Sequence, residues 1–345
     1  MKKTVYVGLS GGVDSAVSAL LLKQQGYRVV GVHMKNWSQD IAGFECPWRE
    51  DYQEAKKVAA YLDIEFKLFD FETDYFNRVV QYMLDEFASG RTPNPDVMCN
   101  QEIKFKLFLE ASLAEGADLI ATGHYAATSD GHLLRATDES KDQTYFLYRI
   151  ERSALEKVIF PLGSLNKSEV RQIASANLLP NAKRKESMGI CFVGKVGIRE
   201  FLSQYVKASP GDIIDDKGET LGQHEGAIFY TIGQRHGLGI GGGLPYYVTG
   251  KDMEKNEVYV TKNVSSHLLW SDTIKLTSVH WINKSENNQQ LFVRTRHRAP
   301  LVACSLDQAG QVTKLQLNEQ IKAITPGQSA VLYTSSECLG GGIIC

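Results

Sequence analysis

The sequence predicts an α/β protein: a doubly wound parallel sheet in the first half, followed by two small all-β modules. Two features carry this prediction. From residue 4 to about residue 205, short unbroken apolar runs alternate with stretches of helical spacing, the rhythm of βαβ units with right-handed crossovers. Beyond Ser209-Pro210-Gly211-Asp212 helical stripes become rare, and short β runs separated by Gly, Asn and Asp turns take over. The expected domains are 1–205, 206–266 and 267–345.

The first β run, Thr4-Val5-Tyr6-Val7-Gly8-Leu9, alternates too little for a half-exposed strand and reads as buried parallel β. Val13, Val17, Leu20 and Leu21 then form the stripe of a helix that stops at Gly26. A second β run is expected over 28–34, a helix over 51–62, a third β run over 64–71 and a long helix over 73–88. After the Pro-rich loop Thr92-Pro93-Asn94-Pro95-Asp96, helical spacing returns from about Gln101, and 118–122 is another short buried strand. In such a sheet ligands bind at the carboxyl ends of the strands. The loop at 10–15, Met34 and Gly123-His124-Tyr125 occupy such ends.

With 345 residues the chain is long enough for two or three cores. A hydrophobic content of 43%, 23% charged residues and a net charge of −2 are ordinary globular values and argue against a general nucleic-acid binder, so any RNA surface must be local. No apolar run approaches the roughly eighteen residues of a membrane span, and the start of the chain enters a strand directly, so a cytoplasmic location is expected. Six cysteines lie scattered with no Cys-x-x-Cys pair, so neither a structural metal site nor an iron-sulfur cluster is expected.

The most informative stretch is Ser10-Gly11-Gly12-Val13-Asp14-Ser15, set where a strand turns into a helix. Glycines there admit a ligand close to the backbone, and the first helical N–H groups point outward toward an anion. Ser10 and Ser15 add hydroxyls, whereas Asp14 would repel phosphate unless a cation such as Mg²⁺ lay between them. The loop lacks the lysine of a Walker motif and the spacing of a dinucleotide fingerprint. It resembles the PP-loop of the ATP pyrophosphatase superfamily, whose signature is Ser-Gly-Gly-x-Asp-Ser. That resemblance implies a PP-loop (adenine nucleotide alpha hydrolase-like) fold and cleavage of ATP between its α and β phosphates.

Two cysteines have chemical settings. Cys99 stands just before the helix expected from Gln101, where a helix N-terminus and Lys104 would lower a thiol pKa, and Asp96 could cap that helix or move protons. A lone cysteine is by default a small buried hydrophobe, against which stands the polar, Pro-rich loop. Cys191 follows the basic cluster Lys183-Arg184-Lys185, which could favour a thiolate or attract phosphate, although taken alone a solvated charge run before a buried strand explains it better. Lys141-Asp142-Gln143 precedes the aromatic run 145–148, expected as a packed strand. Arg294, Arg296 and Arg298 alternate along an expected strand and so share one face, with His297 on the other, a phosphate-backbone candidate that a solvated surface explains equally well.

Taken in order, these pieces resemble the tRNA-specific 2-thiouridylases over essentially the whole chain. The matching segments are Gly8 to Ser15, Met34-Lys35-Asn36-Trp37, Gly90 to Asp96 through Cys99-Asn100, Ala121 to Tyr125, Lys141-Asp142-Gln143, Gly189 to Phe192, Thr231 to Arg235 and Thr325 to Ala330. The resemblance implies that Gly8, Leu9, Ser10, Gly11, Gly12, Val13, Asp14, Ser15, Met34 and Gly123 hold ATP, accompanied by Mg²⁺. It implies that Asn94, Pro95 and Asp96 contact the target base, a wobble uridine, and that His124, Lys141, Asp142, Gln143, Arg296, His297 and Gln328 touch tRNA. Cys99, Cys191 and Asp96 would be catalytic, with a transient Cys99–Cys191 disulfide. The central module would orient the tRNA and a C-terminal β-barrel would grip the anticodon arm of the Lys, Glu and Gln acceptors. Sulfur would arrive from a cysteine desulfurase or a sulfur-relay protein.

Three other readings compete. An amide- or guanidine-forming synthetase would need no reactive cysteines, an iron-sulfur thiolase would need Cys-x-x-Cys, and a non-enzymatic RNA-binding protein would leave the phosphate loop idle. The two cysteines and the loop favour thiolation.

Overall fold

The computed structural model describes residues 2–41, 43–185, 196–241, 243–284, 289–307 and 312–345. Cys191 and the rest of 189–192 lie outside the described residues.

The first seven strands in chain order are β1 (Thr4–Gly8), β2 (Arg28–Lys35), β3 (Glu65–Asp70), β4 (Leu119–Ala121), β5 (Ala127–Ser129), β6 (His132–Leu134) and β7 (Val158–Ile159). Five of them form a parallel sheet of order β3-β2-β1-β4-β7. The chain winds outward from β1 through β2 to β3, then crosses back to β4 on the other side. The switch point therefore falls between the carboxyl ends of β1 and β4. Period-two alternation splits β1 between two cores. Val5 and Val7 pack under helix Val13–Gln24 with Val17, Leu20, Val58 and Val170, and Tyr6 packs on the opposite face with Val30, Val32, Phe105 and Phe108. Both faces are covered, which is why the strand reads as a continuous apolar run.

Helix 72–88 agrees with its expected span, but the next helix starts earlier than the spacing predicts. It begins at Pro95 and continues to Ala114, with the Asn94 side chain accepting from the N–H groups of Asp96 and Val97 at 3.1 and 3.4 Å. Pro95 at the first helical position gives up no hydrogen bond, because that N–H has no intrahelical partner in any case. Cys99 is consequently inside the helix, in its second turn, rather than ahead of it. The aromatic run at 145 is not a strand either: Thr144–Phe146 is a single 3₁₀ turn that buries Tyr145, Leu147 and Tyr148 completely, which an alternating strand could not do.

Four strands, β8 (Gly211–Ile214), β9 (Thr220–His224), β10 (Tyr247–Asp252) and β11 (Glu257–Thr261), make a small sheet of order β10-β11-β8-β9. The remaining six are β12 (Trp270–Trp281), β13 (Leu291–Arg294), β14 (Val302–Asp307), β15 (Thr313–Lys322), β16 (Ser329–Tyr333) and β17 (Glu337–Ile344). They run β12-β15-β14-β13-β16-β17, and β12 also pairs with β17, closing a six-stranded barrel around Ile274, Val293, Leu315, Ala330 and Leu332.

The barrel is fixed to the parallel-sheet domain by main-chain pairing. The β5–β6 hairpin adds to the barrel sheet through Leu133–Cys338 and Leu134–Glu337. The Tyr145 hydroxyl donates to the carbonyls of Thr295 and Ser329 at 3.2 and 3.0 Å, so the buried 3₁₀ turn plugs the junction. Among the described residues no helix is long and apolar enough to cross a membrane.

Candidate functional site

The loop after β1 is built for an anion. Gly11 has φ +79°, where a side chain would be strained, and a Cβ there would lie 2.6 Å from Arg184 Nη1 and 2.7 Å from the Asp51 carbonyl. Gly12 caps helix Val13–Gln24 in an extended conformation. The loop holds its own shape: the Ser15 hydroxyl donates to the Gly12 carbonyl at 3.0 Å, the Gly12 N–H donates to Ser10 Oγ and the Ser10 N–H to Ser15 Oγ, both at 3.3 Å, and Asn181 Nδ2 donates to the Gly11 carbonyl at 2.8 Å. With these acceptors engaged, the loop presents helix N-terminal donors to the ligand side. Gly123, after β4, sits against the helix start so closely that a Cβ would be 2.7 Å from the Ser15 nitrogen. Met34, at the end of β2, underlies the strand with its methyl 3.1 Å from the Cβ position of Gly8, and Leu9 is buried beneath.

A cavity of about 260 Å³ opens in front of the loop, lined by Ser10, Gly12, Val13, Asp14, Tyr125, Gln143 and His297 and by the cations Lys141, Lys167, Arg171, Arg184, Lys185 and Arg298. Six cations face one carboxylate. That carboxylate, Asp14, accepts from Lys167 Nζ at 2.7 and 2.8 Å and from the Tyr125 hydroxyl at 3.0 Å, so Lys167 already neutralises it. Among the described residues no group of three His, Cys, Asp or Glu side chains could hold a metal ion. Asp14, the carboxylate expected beside the phosphates, is thus paired with a lysine ammonium.

Lys167 and Arg171 escaped the sequence reading, whereas Arg184 and Tyr125 fall in the basic cluster 183–185 and the strand-end segment 123–125 that it named. One signal for Lys167 was present: Asn166 and Glu169 form a capping box that opens helix Lys167–Ala176, and a lysine in the first turn opposes the helix dipole. A lysine placed there has an acidic partner elsewhere. Arg184 donates to Asp51 at 2.6 Å and Glu50 at 3.3 Å, and its buried Nη1 has no partner among the described residues. Burial raises the Asp51 pKa despite that guanidinium.

A second cavity, of about 640 Å³, lies where all three modules meet. Thr92, Pro93, Asn94, Pro95 and Asp96 form one wall, Phe229, Tyr230, Thr231, Gln234 and Gly237 of the central module another, and Gln328 of the barrel closes the rim. Gln328 Nε2 donates to the carbonyls of Thr92 and Pro93 at 2.8 and 3.3 Å, Thr92 N–H donates to the Pro326 carbonyl at 2.8 Å, and the Thr92 and Thr231 hydroxyls are 3.3 Å apart. Gln328 thereby clamps the Asn94 loop. Lys251 donates to the Tyr230 carbonyl at 2.9 Å, and burial lowers its pKa to about 8. Cys99 does not line this cavity. It is fully enclosed one helical turn past Asp96, among Trp37, Tyr75, Ile103, Val196 and Phe201.

The other expected site residues are dispersed. Lys141 and Gln143 line the phosphate cavity, Gln143 Oε1 also accepting the Tyr125 N–H at 2.9 Å. Asp142 is interior, at 1% exposure, accepting from the Ala136 N–H and the Thr144 hydroxyl at 2.8 and 2.6 Å and facing Arg294 at 3.5 Å. His124 lies between Phe105 and Phe160 with Nδ1 2.8 Å from the Thr122 hydroxyl, and burial, aided by the Lys104 charge, holds its pKa well below the usual range. The three arginines do not share a face, because β13 ends at Arg294. Arg294 is buried over the Tyr333 ring, Arg296 Nη2 donates to the Ala323 carbonyl at 3.0 Å, and Arg298 turns into the phosphate cavity with φ +63°. His297 stacks on Phe146 with ring centroids 4.5 Å apart. Burial, with Arg298 and Arg294 nearby, lowers its pKa to about 4.

A glycine-rich strand–loop–helix turn at the switch point of a parallel sheet, facing a cation-lined cavity, defines a PP-loop nucleotide-binding enzyme. The chain belongs to the tRNA-specific 2-thiouridylase MnmA family. The protein of that name from Bacillus subtilis (strain 168) is 48% identical over 99% of this chain and 94% of its own, and that from Methylobacillus flagellatus is 46% identical over 100% and 99%. Family models described as tRNA methyl transferase HUP domain, tRNA methyl transferase PRC-barrel domain and aminomethyltransferase beta-barrel domain match residues 3–195, 199–262 and 271–344.

Proposed function

We propose that this enzyme is a tRNA uridine 2-sulfurtransferase that uses ATP to replace the C2 oxygen of the wobble uridine by sulfur. The observation that carries the reading is the pairing of two cavities in one chain of this family. One is a cation-lined phosphate cavity at the Ser10–Ser15 loop, and the other is a 640 Å³ cavity walled by Asn94, Pro95 and Asp96, large enough to enclose an extruded base. Methyl transfer, named in two of the family descriptions, would give the phosphate loop no task.

A uracil carbonyl oxygen is a poor leaving group. In the proposed sequence the C2 oxygen attacks the α phosphorus of ATP and pyrophosphate departs toward the cations of the loop cavity. The terminal sulfur of a persulfide on Cys191, or sulfide freed from it, then adds to C2 and AMP leaves. Cys99 attacks the inner persulfide sulfur, and the resulting Cys99–Cys191 disulfide is reduced by a cellular thiol. Asp96, at the cavity wall, moves the protons. Any Mg²⁺ enters as the counter-ion of ATP. Residues 206–266 orient the tRNA and 267–345 grip the anticodon arm of the Lys, Glu and Gln acceptors, with His124, Lys141, Gln143, Arg296, His297 and Gln328 near the RNA. A desulfurase or relay protein in the cytoplasm loads Cys191.

The test supplies unmodified tRNA, ATP, Mg²⁺ and a persulfide donor, and reads 2-thiouridine by mass spectrometry of the digested product. Wild type is expected to thiolate, and Cys191→Ser and Cys99→Ser are not. Thiolation that survives both substitutions removes the cysteine roles, and AMP formation on another acceptor without thiouridine removes the reaction.

A further inference from the structure

The phosphate cavity receives a residue from an unexpected quarter. Its floor and most of its cations come from the parallel-sheet domain, but Arg298 belongs to the barrel, 284 positions after Asp14 by sequence number (298 − 14). We infer that Arg298 binds the phosphate tail of the nucleotide from the barrel side, so that the nucleotide site is complete only with the barrel in place. The inference rests on the ATP-dependent reading proposed above.

Three observations carry it. First, the other arginines and Lys167 are committed. Lys167 pairs with Asp14, Arg184 with Asp51, and Arg171 donates to the carbonyls of Ala182 and Arg184 at 3.0 and 2.7 Å. Arg298 makes no hydrogen bond or ion pair with any described residue, although it faces the cavity. Second, the turn that presents it is held from both sides. Arg294 is anchored on Asp142 and Tyr333, and Arg296 on Ala323 and Thr325. The Ala299 N–H donates to the Arg296 carbonyl at 3.1 Å, and Arg298 is left with φ +63°. A non-glycine residue in that region costs conformational energy, and such residues persist where the surroundings over-determine them, most often at ligand sites. Third, the cavity carries more positive charge than its own side chains neutralise: six cations line it with one carboxylate, Asp14, which Lys167 already holds. An unpaired guanidinium beside further cations and main-chain donors is a site short of anionic oxygens.

The ligand chemistry is that of a di- or triphosphate. A single phosphate could be satisfied at the loop, but a longer tail extends across the cavity to the barrel wall. An RNA backbone phosphate shares this chemistry, and the experiment separates the two sources.

Binding of ATP, AMP and inorganic pyrophosphate to the full chain is measured by titration calorimetry without tRNA, and tRNA binding is measured by filter retention without nucleotide. The proteins are wild type, Arg298→Asn and Arg298→Lys. Asparagine tolerates the left-handed backbone, so the turn survives while the charge is lost, and an unchanged melting temperature verifies this. Loss of a charge-assisted contact predicts that Arg298→Asn weakens ATP and pyrophosphate by about tenfold or more while AMP and tRNA stay within about twofold, with Arg298→Lys between. Unchanged ATP affinity in Arg298→Asn overturns the inference and leaves the ATP-dependent reading intact. So does a loss confined to tRNA, which would assign Arg298 to the RNA backbone. Wild type that binds neither ATP nor pyrophosphate overturns both.

Discussion

Asp142 offers the sharpest test of the structure, because the family resemblance puts it against tRNA whereas its surroundings put it in the interior. Its carboxylate has 0% side-chain exposure and Arg294 has 7%, so the pair is out of water. Replacing Asp142 by Asn removes the only ion-pair partner that Arg294 has among the described residues, and the guanidinium stays buried over Tyr333. Breaking a buried pair from one side leaves an uncompensated charge and costs about 3–5 kcal/mol. One of the two strong hydrogen bonds, from the Ala136 N–H or the Thr144 hydroxyl, is also lost, because the amide offers a single acceptor oxygen. Arg294→Met in the same background removes the stranded charge, so the double variant should regain part of the loss, by about 1–3 kcal/mol relative to additivity. Urea unfolding of the full chain, followed by tryptophan fluorescence, measures all four proteins. The reasoning fails if Asp142→Asn unfolds within about 1 kcal/mol of wild type but binds tRNA weakly. It fails equally if the two substitutions are additive.

Further predictions concern the loop, the cap and pH. Gly123→Ala places a methyl 2.7 Å from the Ser15 nitrogen, so ATP binding in calorimetry should fall at least about tenfold, with the secondary structure seen by circular dichroism retained. Asn94→Ala removes the helix cap and should cost about 1 kcal/mol in urea, with a larger fall in thiolation rate than that stability loss explains, because Asn94 is also a cavity wall. The His297 pKa is lowered from 6.5 to about 4 in the folded state, so the unfolded chain binds more protons between these values. Stability present above pH 6.5 is therefore lost as pH falls toward 4, and His297→Gln should flatten that part of the stability profile. Equal pH dependence in both proteins would show that His297 does not contribute.

Features confined to one strand or one turn were open to reading from the chain alone. The Ser10–Ser15 loop follows a buried apolar run and precedes a helical stripe, and its place at the sheet's switch point follows from βαβ winding. The winding also predicts Met34 and Gly123 near the carboxyl ends of β2 and β4, where they stand, although neither lines the phosphate cavity. Local pattern misled where an element ended early or began early. The arginine alternation at 294–298 suggested one face, but β13 stops at Arg294 and the turn sends the three side chains to Asp142, Ala323 and the phosphate cavity. Proline at 95 read as loop, although at a helix start its missing N–H costs nothing, and this moved Cys99 from a helix end into a core. The cations that pair with Asp14 and Asp142, Lys167 and Arg294, each more than 150 residues away, could come only from the fold. Periodicity records which side of an element is apolar, whereas the neutralisation of a carboxylate depends on which distant cation the packing brings within about 3 Å.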